Sequence, residues 1–404
     1  MDHGGTIFNT IDDVQVSGKR VLIRVDLNVP LKDGEVSDAT RIERVAPTIR
    51  ELADKGAMVI VLSHFGRPGG KPVADMSLAP LVAPLADALG RPVAFAANCV
   101  GAPAAAVVGG LEPGGIVLLE NLRFHPGEEA NDSRFAAALA ELGEIYVDDA
   151  FSAAHRAHAS LDAITHHLPA FAGRAMQAEL EALGSALEAP RHPLAAVIGG
   201  AKVSTKLALL GNLTDRADKL IIGGGMANTF LHAFGVDVGQ SLCERELADT
   251  AREIQTQAVA NGCEIILPVD AVVAPGLDGG AQARTVGIDA IPEASMILDI
   301  GPASVALLVE ALKPCRTVVW NGPLGAFEFP PFEEGTVAVA RSVAAATKAG
   351  DMLSVAGGGD TVAALAMARV TDDFSYVSTA GGAFLEWLEG KELPGVHALA
   401  EAAR

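Results

Sequence analysis

Residues 21–30 read VLIRVDLNVP, an apolar run that turns polar where a buried strand would end. The next runs of this kind also end in arginine or histidine: MVIVLSHFGRP (58–68), IVLLENLRFH (116–125) and IYVDDAFSAAHRAH (145–158). Later runs end in glycine with lysine, aspartate or asparagine: AAVIGGAKVSTK (195–206), LIIGGGMANTF (220–230), VVWNGPLGAFE (318–328) and LSVAGGGDT (353–361). Ligands of open α/β sheets bind outside the carboxyl ends of the strands. The two kinds of loop therefore predict two half-sites for two different anionic ligands.

Strand-like runs alternate with helical periodicity almost throughout, which is typical of βαβ units and a parallel sheet covered by helices. There are about eleven such runs, more than the roughly 4–6 strands of a usual sheet. We therefore expect an α/β protein with two doubly wound parallel-sheet domains facing a central cleft.

The boundary between these domains is predicted at a helix near residues 175–188, which Pro190 and Pro193 would stop before a new strand begins. We expect an N-terminal domain over 1–174, a hinge helix over 175–190 and a C-terminal domain over 191–390. The remaining residues, 391–404, are expected to form a tail helix that docks elsewhere, because so short a helix is unstable alone.

Charge and cysteine usage exclude several classes of protein. The formal net charge is −20, from 50 acidic and 30 basic residues, which argues against nucleic acid or an anionic membrane as a partner. The four cysteines are widely spaced, so neither a zinc site nor a disulfide framework is indicated. The first residues, MDHGGTIFNTIDD, do not resemble a signal peptide, and no apolar run reaches the length of a membrane span. We expect a cytoplasmic protein.

Cations at two helix starts suggest phosphate sites. Arg41 falls in the first turn of a helix that Thr40 and Glu43 would open as a capping box, where the helix dipole disfavours a cation by ~0.3–1 kcal/mol. A bound anion would reverse that penalty, whereas a solvated arginine would merely be screened. Lys202 and Lys206 flank a second helix start after a glycine pair, which indicates either an anion cradle or a tight turn.

A third glycine loop, GGGDT at 357–361, also opens a helix. Asp360 could simply be the N-cap of that helix, or it could hold Mg²⁺ while the loop amides bind nucleotide phosphates. The glycines at 223–225 and the STAGGAF run at 378–384 suggest further close approaches of backbone to a ligand. None of these loops has the G-x-G-x-x-G spacing of a dinucleotide fold.

Polar residues at the first-half strand ends form the other set of candidates. Several arginines on one sheet edge would bind carboxylate or phosphate bidentately, although each alone could be a solvated surface residue. Asp26 and Asn28 could bind a hydroxyl of the same ligand or act as turn residues. The histidines are interpreted as further anion donors. The set comprises Arg24, Asp26, Asn28, His64, Arg67, Arg123, His155, Arg156 and His158.

Taken in order, these segments resemble the phosphoglycerate kinase family. The motifs that carry the resemblance are RVDLNVP, SHFGRP, ENLRFH, AHRAH, GGAKV, GGGMANTF, VVWNGPLGAFE, GGGDT and STAGGAFLEWLEGK. They run from about Val21 to the C-terminus, and nearly every loop after a strand takes part. One piece such as GGGDT is a weak signal, but the ordered set is highly specific.

The resemblance implies a monomeric two-domain enzyme of glycolysis and gluconeogenesis whose domains close by hinge bending, with the tail helix returning to the N-terminal domain. The N-terminal domain would bind 3-phosphoglycerate or 1,3-bisphosphoglycerate, and the C-terminal domain Mg²⁺ with ADP or ATP. By this resemblance the substrate-binding residues are Asp26, Leu27, Asn28, Arg41, His64, Phe65, Gly66, Arg67, Arg123 and Arg156. The nucleotide-binding residues are Lys206, Gly223, Gly224, Asn321, Glu328, Gly357, Gly358, Gly359, Asp360 and Thr361, with Glu328 on the ribose and Asp360 on the metal.

The implied reaction is phosphoryl transfer between two anions, with Arg41, Lys202 and Lys206 as the catalytic cations. No general base is required, since the attacking oxygens are already ionised. The sequence departs from the family pattern at Phe65, often leucine, and at Ala380, often glycine. Two alternatives remain: a non-catalytic phosphometabolite-binding protein on the same fold, and a nicotinamide-dependent dehydrogenase, whose Gly-rich fingerprint is absent.

Overall fold

The computed structural model describes residues 8–32 and 34–404 and divides the chain into two compact units. The first unit comprises the residues up to Glu181 together with Glu392–Arg404, and the second comprises Ala182–Lys391. The division lies within the segment 175–190 that the sequence assigns to a hinge helix. Whether that segment acts as a hinge stays a prediction.

The first unit is built on a six-stranded parallel sheet in the order β5-β6-β4-β1-β7-β8, beside a two-stranded antiparallel ribbon, β2-β3. The strands are β1 Arg20–Arg24, β2 Leu31–Lys32, β3 Glu35–Val36, β4 Met58–Leu62, β5 Ala94–Ala96, β6 Ile116–Leu119, β7 Ile145–Asp148 and β8 Ala170–Ala172. The α-helices are α1 Thr40–Asp54, α2 Val82–Leu89, α3 Gly101–Val108, α4 Pro126–Glu129, α5 Ser133–Ala140 and α6 Arg174–Leu183.

Apolar side chains cover both faces of this sheet, as its continuous apolar strands require. Val21 and Ile23 of β1 share one face with the apolar stripe of α1, while Leu22 between them is buried on the other face. The stripe of α1 includes the buried residues Ile42 and Ile49.

The start of α1 differs from the predicted capping box. The N-cap is Ala39, and no side chain caps the helix there. Asp38 instead accepts hydrogen bonds from the backbone N–H of Thr40 at 2.9 Å and from its hydroxyl at 2.6 Å. Because Asp38 satisfies these donors, Thr40 becomes the first residue of the helix, and Arg41 remains in its first turn.

The second unit holds another six-stranded parallel sheet, in the order β11-β10-β9-β15-β16-β17, and a three-stranded antiparallel sheet, β13-β12-β14. Its strands are β9 Leu194–Ile198, β10 Lys219–Ile222, β11 Glu264–Ile266, β12 Asp270–Ala274, β13 Arg284–Gly287, β14 Met296–Ile300, β15 Thr317–Asn321, β16 Leu353–Gly357 and β17 Tyr376–Ser378. Its helices are α7 Leu207–Thr214, α8 Gly224–Ala233, α9 Ala248–Asn261, α10 Pro302–Leu312, α11 Glu334–Lys348, α12 Gly359–Ala368 and α13 Gly382–Leu388.

The two parallel sheets confirm the predicted fold class, but the antiparallel sheet was not predicted. Its strands are only four or five residues long, and β12 and β14 pair through a register shift at Val272–Val273. Runs so short carry too few alternating positions to be separated from loops by periodicity.

The remaining elements are a π-helical turn, a C-terminal helix and several short 3₁₀ turns. A π-helical turn, Gly184–Glu188, continues α6 and ends before Pro190. The final helix, α14, spans Pro394–Ala402 and contacts β8 of the first unit. Short 3₁₀ turns occupy Ala74–Met76, Ala79–Leu81, Leu122–Phe124, Phe151–Ala153, Ala163–His166, Arg245–Leu247, Gly280–Gln282, Ile288–Ala290 and Thr371–Asp373. Within the described residues, no helix has both the length and the apolar character needed to cross a bilayer.

Candidate functional site

The carboxyl edge of the first unit's sheet brings four polar loops together. The chain runs from β1 outward to β4 and β6 on one side and later returns to β7 on the other side of β1. Such a reversal of strand order is the point at which open α/β sheets bind ligands. The loops that follow these strands carry Asp26, His64, Arg123 and Arg156.

Asp26, just after β1, is the best-connected acceptor at this edge. Its carboxylate accepts hydrogen bonds from Arg41 Nη1 at 2.9 Å, Ser152 Oγ at 2.5 Å and the Asn28 backbone N–H at 2.9 Å. Burial raises the pKa of Asp26, but the Arg41 guanidinium and these hydrogen bonds more than offset it and lower the pKa below its usual range. Asp26 is therefore a carboxylate that holds Arg41 in place while 38% of the Arg41 side chain stays exposed.

Hydrogen bonds also tie the loops to one another. Asn28 Oδ1 accepts from the Gly66 N–H at 2.9 Å, and Arg123 Nη1 donates to the Gly66 carbonyl at 2.7 Å. Gly66 has φ +60°, and a Cβ there would lie 2.9 Å from Met76 Sδ. The glycine is therefore required for the loop after β4 to reach its two neighbours.

Positive charge is concentrated at this edge in a chain whose net charge is −20. Arg24 is fully buried and Arg123 is 3% exposed, whereas Arg156 is half-buried and Arg67 exposed. Burial, together with the neighbouring Arg24 and Arg156, lowers the pKa of Arg123 to about 10. Clustered cations of this kind are stable where an anionic ligand supplies the opposite charge.

Two of the predicted substrate-binding residues, Leu27 and Phe65, point into the core. Leu27 is fully buried, and its N–H donates to Ser63 Oγ at 2.9 Å. Phe65 is 8% exposed, and its carbonyl accepts from Asn121 Nδ2 at 2.7 Å. Their side chains therefore pack in the core beneath the loops and do not offer polar contacts to a ligand.

The two later histidines lie behind this surface. Arg156 Nε donates to His155 Nε2 at 3.1 Å. His158 is 7% exposed, and burial lowers its pKa to about 4. His158 Nδ1 lies 3.8 Å from Glu128 Oε1. His158 is as buried as His64, and its role as a further anion donor stays a prediction.

The second unit has the same kind of switch point, between β9 and β15. Lys206, just before α7, donates to the Gly199 carbonyl and to Asn321 Oδ1, both at 2.7 Å. Burial lowers the pKa of Lys206 to about 8, against the raising effect of the Asp360 carboxylate. Two residues predicted for the nucleotide side, Lys206 and Asn321, are thus joined directly.

Backbone atoms crowd this edge because of its glycines. Asn321 Nδ2 donates to the Gly357 carbonyl at 2.7 Å, and the Gly322 N–H donates to Thr361 Oγ1 at 2.7 Å. Gly358 has φ +99°, and a Cβ there would lie 2.6 Å from Asn321 Nδ2. Gly357 is a buried support of this loop, whereas Gly358, Gly359 and the largely buried Thr361 line a cavity.

Two adjoining cavities open above these loops. One has a volume of about 310 Å³ and is lined by Lys202, Lys206, Asn321 and the loop at 358–361. The other has a volume of about 360 Å³ and is lined mainly by apolar residues, with Glu328 among its few polar ones. They share Gly200, Ala201 and Asp360. A polar, lysine-bearing cavity beside an apolar one of this size fits the phosphates and the nucleoside of one nucleotide.

Sequence reasoning missed the wall of the apolar cavity. Gly224 was predicted and lines it, while Gly223 is buried and lies behind, its Cα facing Leu324. The antiparallel sheet supplies much of the remaining wall. Among the lining residues that were not predicted are Leu231, Leu242, Met296, Leu298 and Phe327. Apolar residues at such positions carry no signal that separates a cavity wall from a core.

Asp360 is not the N-cap of α12. The N-cap is Gly358, no side chain caps the helix, and the Asp360 carboxylate is exposed in the first turn. Within residues 8–32 and 34–404, no group of three or more His, Cys, Asp or Glu side chains could hold a metal ion. A single carboxylate beside a phosphate cavity suits a divalent cation that takes its other ligands from phosphate and water.

The departure at Ala380 causes no backbone strain. Gly381, the N-cap of α13, takes φ +51° and ψ −100°, whereas Ala380 is not among the residues with positive φ. Ala380 is 6% exposed, and its N–H donates to Ser378 Oγ at 3.2 Å. The left-handed position is thus occupied by glycine, and alanine is accommodated beside it.

The fold fits the class of α/β phosphotransferases, with clustered arginines at the sheet edge of one unit and a lysine-bearing cavity beside an apolar one in the other. The family model for phosphoglycerate kinase matches residues 11–391. A phosphoglycerate kinase of Azorhizobium caulinodans is 63% identical over 97% of this chain and 99% of its own, and one of Methylorubrum extorquens is 62% identical over 98% and 99%. The solved structure of phosphoglycerate kinase from Coxiella burnetii superposes with a TM-score of 0.91 at 44% identity, covering 98% of this chain and all of that one. The chain belongs to the phosphoglycerate kinase family.

Proposed function

We propose that this chain catalyses reversible, Mg²⁺-dependent phosphoryl transfer from 1,3-bisphosphoglycerate to ADP, giving 3-phosphoglycerate and ATP. The proposal rests on the different chemistry of the candidate sites in the two units. The first has an arginine-rich anion site, and the second has a lysine-bearing phosphate cavity beside an apolar cavity of nucleoside size. Membership of the family supports the same assignment.

In the first unit, the glycerate ligand would bind over Asp26, Asn28, Arg41, His64, Arg67, Arg123 and Arg156. Asp26 is held as a carboxylate, so it can accept a hydrogen bond from the ligand hydroxyl. The guanidinium groups would bind the carboxylate and phosphate ends, for which their planar donor geometry is suited.

In the second unit, the nucleotide phosphates would bind Lys202, Lys206, Gly358 and Gly359, and the nucleoside would enter the apolar cavity with its ribose at Glu328. Asp360 would hold Mg²⁺, which partly neutralises the phosphates when bound. The amide-rich start of α12 favours phosphate through its dipole.

The residues of this chain position and stabilise charge; they do not move protons in the transfer. The acceptor is a nucleotide phosphate oxygen in one direction and a carboxylate in the other, and both are already ionised. Arg41 and Lys202 are exposed enough to reach the transferring group, whereas Lys206 is held by Gly199 and Asn321. Preorganised cations of this kind lower the barrier by stabilising charge that develops in the transition state.

In-line transfer requires the two ligands to meet, so we propose that the units move about the segment 175–190. This segment is α6 followed by the π-helical turn Gly184–Glu188, and irregular helical turns of this kind often occur at functional positions. Closure of this sort also excludes water from the transferred group.

We also propose that the protein acts as a monomer in the cytoplasm. Each unit carries its own half-site, so no second copy is needed to complete either. The four cysteines are free, three of them buried, which is the usual state of thiols in a reducing compartment.

The decisive experiment is a coupled assay in both directions with Mg²⁺, across ADP, GDP and candidate acyl phosphates. We expect consumption of 3-phosphoglycerate that requires both ATP and Mg²⁺. Its absence in an otherwise folded protein would indicate a binding protein without activity. A thermal shift with Mg·ADP and none with NAD would exclude the dehydrogenase.

Matched variants test the assignment of ligands to units. We expect Asp360→Asn to lose the thermal shift with Mg·ADP and to keep that with 3-phosphoglycerate, and Arg67→Met to show the reverse. Both residues are exposed, so neither change removes a packed side chain. Loss of both responses in either variant would contradict the assignment.

A further inference from the structure

Beneath the first unit's anion site, a buried arginine contacts the histidine of the site. Arg24 is the last residue of β1 and is fully buried. Its Nη2 lies 3.0 Å from His64 Nδ1. His64 follows β4, the strand that pairs with β1, and is 7% exposed. This contact is not needed by the transfer chemistry described above.

The chemistry of the two groups settles which way the hydrogen bond runs. A guanidinium has only donors and stays protonated, so Arg24 donates and Nδ1 must accept. The ring proton of His64 then lies on Nε2. Protonation of Nδ1 would place a second cation at 3.0 Å from the guanidinium and would break the hydrogen bond.

The charged groups that face His64 favour the same state. Burial lowers the pKa of His64 well below its usual range, and Arg24, Arg123 and Arg156 lower it further. The Asp26 carboxylate acts in the opposite direction. Three cations, from β1 and from the loops after β6 and β7, thus lower the pKa of His64, and one carboxylate raises it. That carboxylate is itself paired with Arg41 at 2.9 Å.

A second set of hydrogen bonds holds Arg24 through the guanidinium nitrogens that do not contact His64. Arg24 Nε donates to Ser160 Oγ at 3.1 Å, and the Ser160 hydroxyl donates to Glu128 Oε1 at 2.7 Å. Glu128 is fully buried and also accepts from the Ser160 N–H at 3.0 Å. Arg24 further donates to the Val25 carbonyl. The guanidinium therefore has little freedom, and its charge is balanced by Glu128 through one hydroxyl.

We propose that Arg24 is a positioning residue that fixes His64 as a neutral Nε2–H donor toward the anionic ligand, so that His64 does not act as a titrating cation. The inference rests on the proposed function for the identity of that ligand, 3-phosphoglycerate. It assigns Arg24 no contact with substrate. A fixed neutral donor keeps the same hydrogen bond to the ligand across the pH range in which a free histidine would change charge.

The first test reads the tautomer directly in the unaltered full-length protein. Nitrogen-15 NMR of the imidazole groups distinguishes protonated from unprotonated ring nitrogens, and the His64 signals are assigned by their loss in His64→Gln. We expect Nε2–H with unprotonated Nδ1 from pH 5.5 to 8, both free and with 3-phosphoglycerate. A His64 ring that carries its proton on Nδ1, or that becomes charged in this range, would overturn the proposal whether or not the protein is active.

The second test uses the pH dependence of KM for 3-phosphoglycerate. In Arg24→Met, His64 Nδ1 loses its donor and the ring loses one of the three cations that lower its pKa, so the pKa of His64 should rise. KM should then increase with pH more steeply than in the unaltered enzyme, by up to about fivefold between pH 5.5 and 7.5, because charge-assisted hydrogen bonds are roughly twice as strong as neutral ones. Arg24→Lys, which keeps a cationic donor, should restore the original profile.

Arg50→Met is the matched control, because Arg50 donates to the Ala88 carbonyl at 2.7 Å and is exposed. Its KM profile should equal that of the unaltered enzyme. If the KM profile of Arg24→Met also equals that of the unaltered enzyme, the role of Arg24 is refuted. Phosphoryl-transfer activity in the same variant would show that the proposed function nevertheless stands. If Arg24→Met does not fold, the NMR measurement decides.

Discussion

Arg41 illustrates how a residue that is unfavourable for its helix serves the site. It lies in the first turn of α1, where the dipole opposes a cation, yet Asp26 holds it through an ion pair of 2.9 Å. More than a third of its side chain stays exposed. Asp26 holds the guanidinium, and its exposed part is placed for the anion that we propose it would meet.

We therefore expect Arg41→Ala and Lys202→Ala to lower kcat by about 10²–10³-fold, the usual cost of removing one preorganised donor from a transition state. Lys202 is exposed, so its loss should change the melting temperature little. Loss of Arg41 leaves the buried Asp26 carboxylate without its ion pair, so that variant should melt at a lower temperature but still fold. Steady-state kinetics with thermal unfolding of the same samples measures both quantities. Arg50→Ala serves as the surface control, and loss of the thermal transition in either variant would make that residue structural.

Asp148 is a buried carboxyl that the proposed chemistry does not use. It ends β7, is fully buried, and burial raises its pKa to about 7. A pKa raised above the unfolded value of about 3.9 contributes stability that is complete below pH 4 and is lost as the pH rises through about 7.

Asp148→Asn removes this titration, so the variant should gain stability relative to the unaltered protein between pH 5 and pH 8. The upper bound is about 2.7 kcal/mol, because stability is lost over roughly two pH units, from pH 5 to about 7, at 1.36 kcal/mol each. Thermal unfolding at both pH values measures the difference, with the exposed Asp75→Asn as control. A difference that does not grow with pH would mean that Asp148 is ionised throughout.

At the scale of elements, the starts of α8 and α12 at the carboxyl edge of the second unit's sheet each include a glycine in a conformation that other residues avoid, Gly224 at φ +64° and Gly358 at φ +99°. Gly358 is the N-cap of α12. By contrast, Gly211 lies inside α7, has no positive φ, and a Cβ there would meet nothing within 4 Å. The same substitution should therefore have opposite effects at Gly358 and Gly211.

Gly358→Ala should displace the loop or Asn321 and raise KM for ATP by at least about tenfold, because strain at such a position costs of order 1–3 kcal/mol. Gly211→Ala should leave KM unchanged and stabilise the second unit by about 0.5–1 kcal/mol, the usual gain for alanine in a helix interior. Kinetics and thermal unfolding of the pair give the comparison. Equal KM values for ATP in the two variants would show that Gly358 is not part of the nucleotide site.

At the scale of the whole molecule, the C-terminal residues of the chain, Glu392–Arg404, belong to the first unit together with its N-terminal half. Val396 and Leu399 of α14 are buried, and the Gly395 N–H donates to the Ala154 carbonyl at 2.9 Å. Ala154 follows the turn that carries Ser152, a partner of Asp26. The tail thus supports the loop after β7, beside the proposed glycerate site.

Deletion of residues 392–404 should therefore destabilise the first unit by several kcal/mol, at about 1.5–3 kcal/mol for each large apolar side chain that loses its contacts. The thermal shift with 3-phosphoglycerate should weaken, while that with Mg·ADP persists. Deletion of residues 403–404, which follow α14, is the control. Equal loss of both ligand responses would contradict a role confined to the first unit.

Much of this molecule follows from its sequence. Apolar runs with polar ends predict the parallel strands because buried strands need continuous apolar residues, and strand ends place Asp26, Arg41, Lys206 and Asp360 at sheet edges through the geometry of βαβ units alone. The net charge predicts that nucleic acid is not a partner, and the ordered motifs identify the family.

The tertiary structure decided what depends on residues distant in sequence. The wall of the apolar cavity comes from short antiparallel strands and from apolar side chains such as Leu242 and Met296, which look like core residues in the sequence. The state of His64 depends on Arg24, forty positions away, and the tolerance of Ala380 depends on which neighbour takes the left-handed conformation. Local patterns specify elements, but burial, pairing and backbone approach arise only when those elements pack.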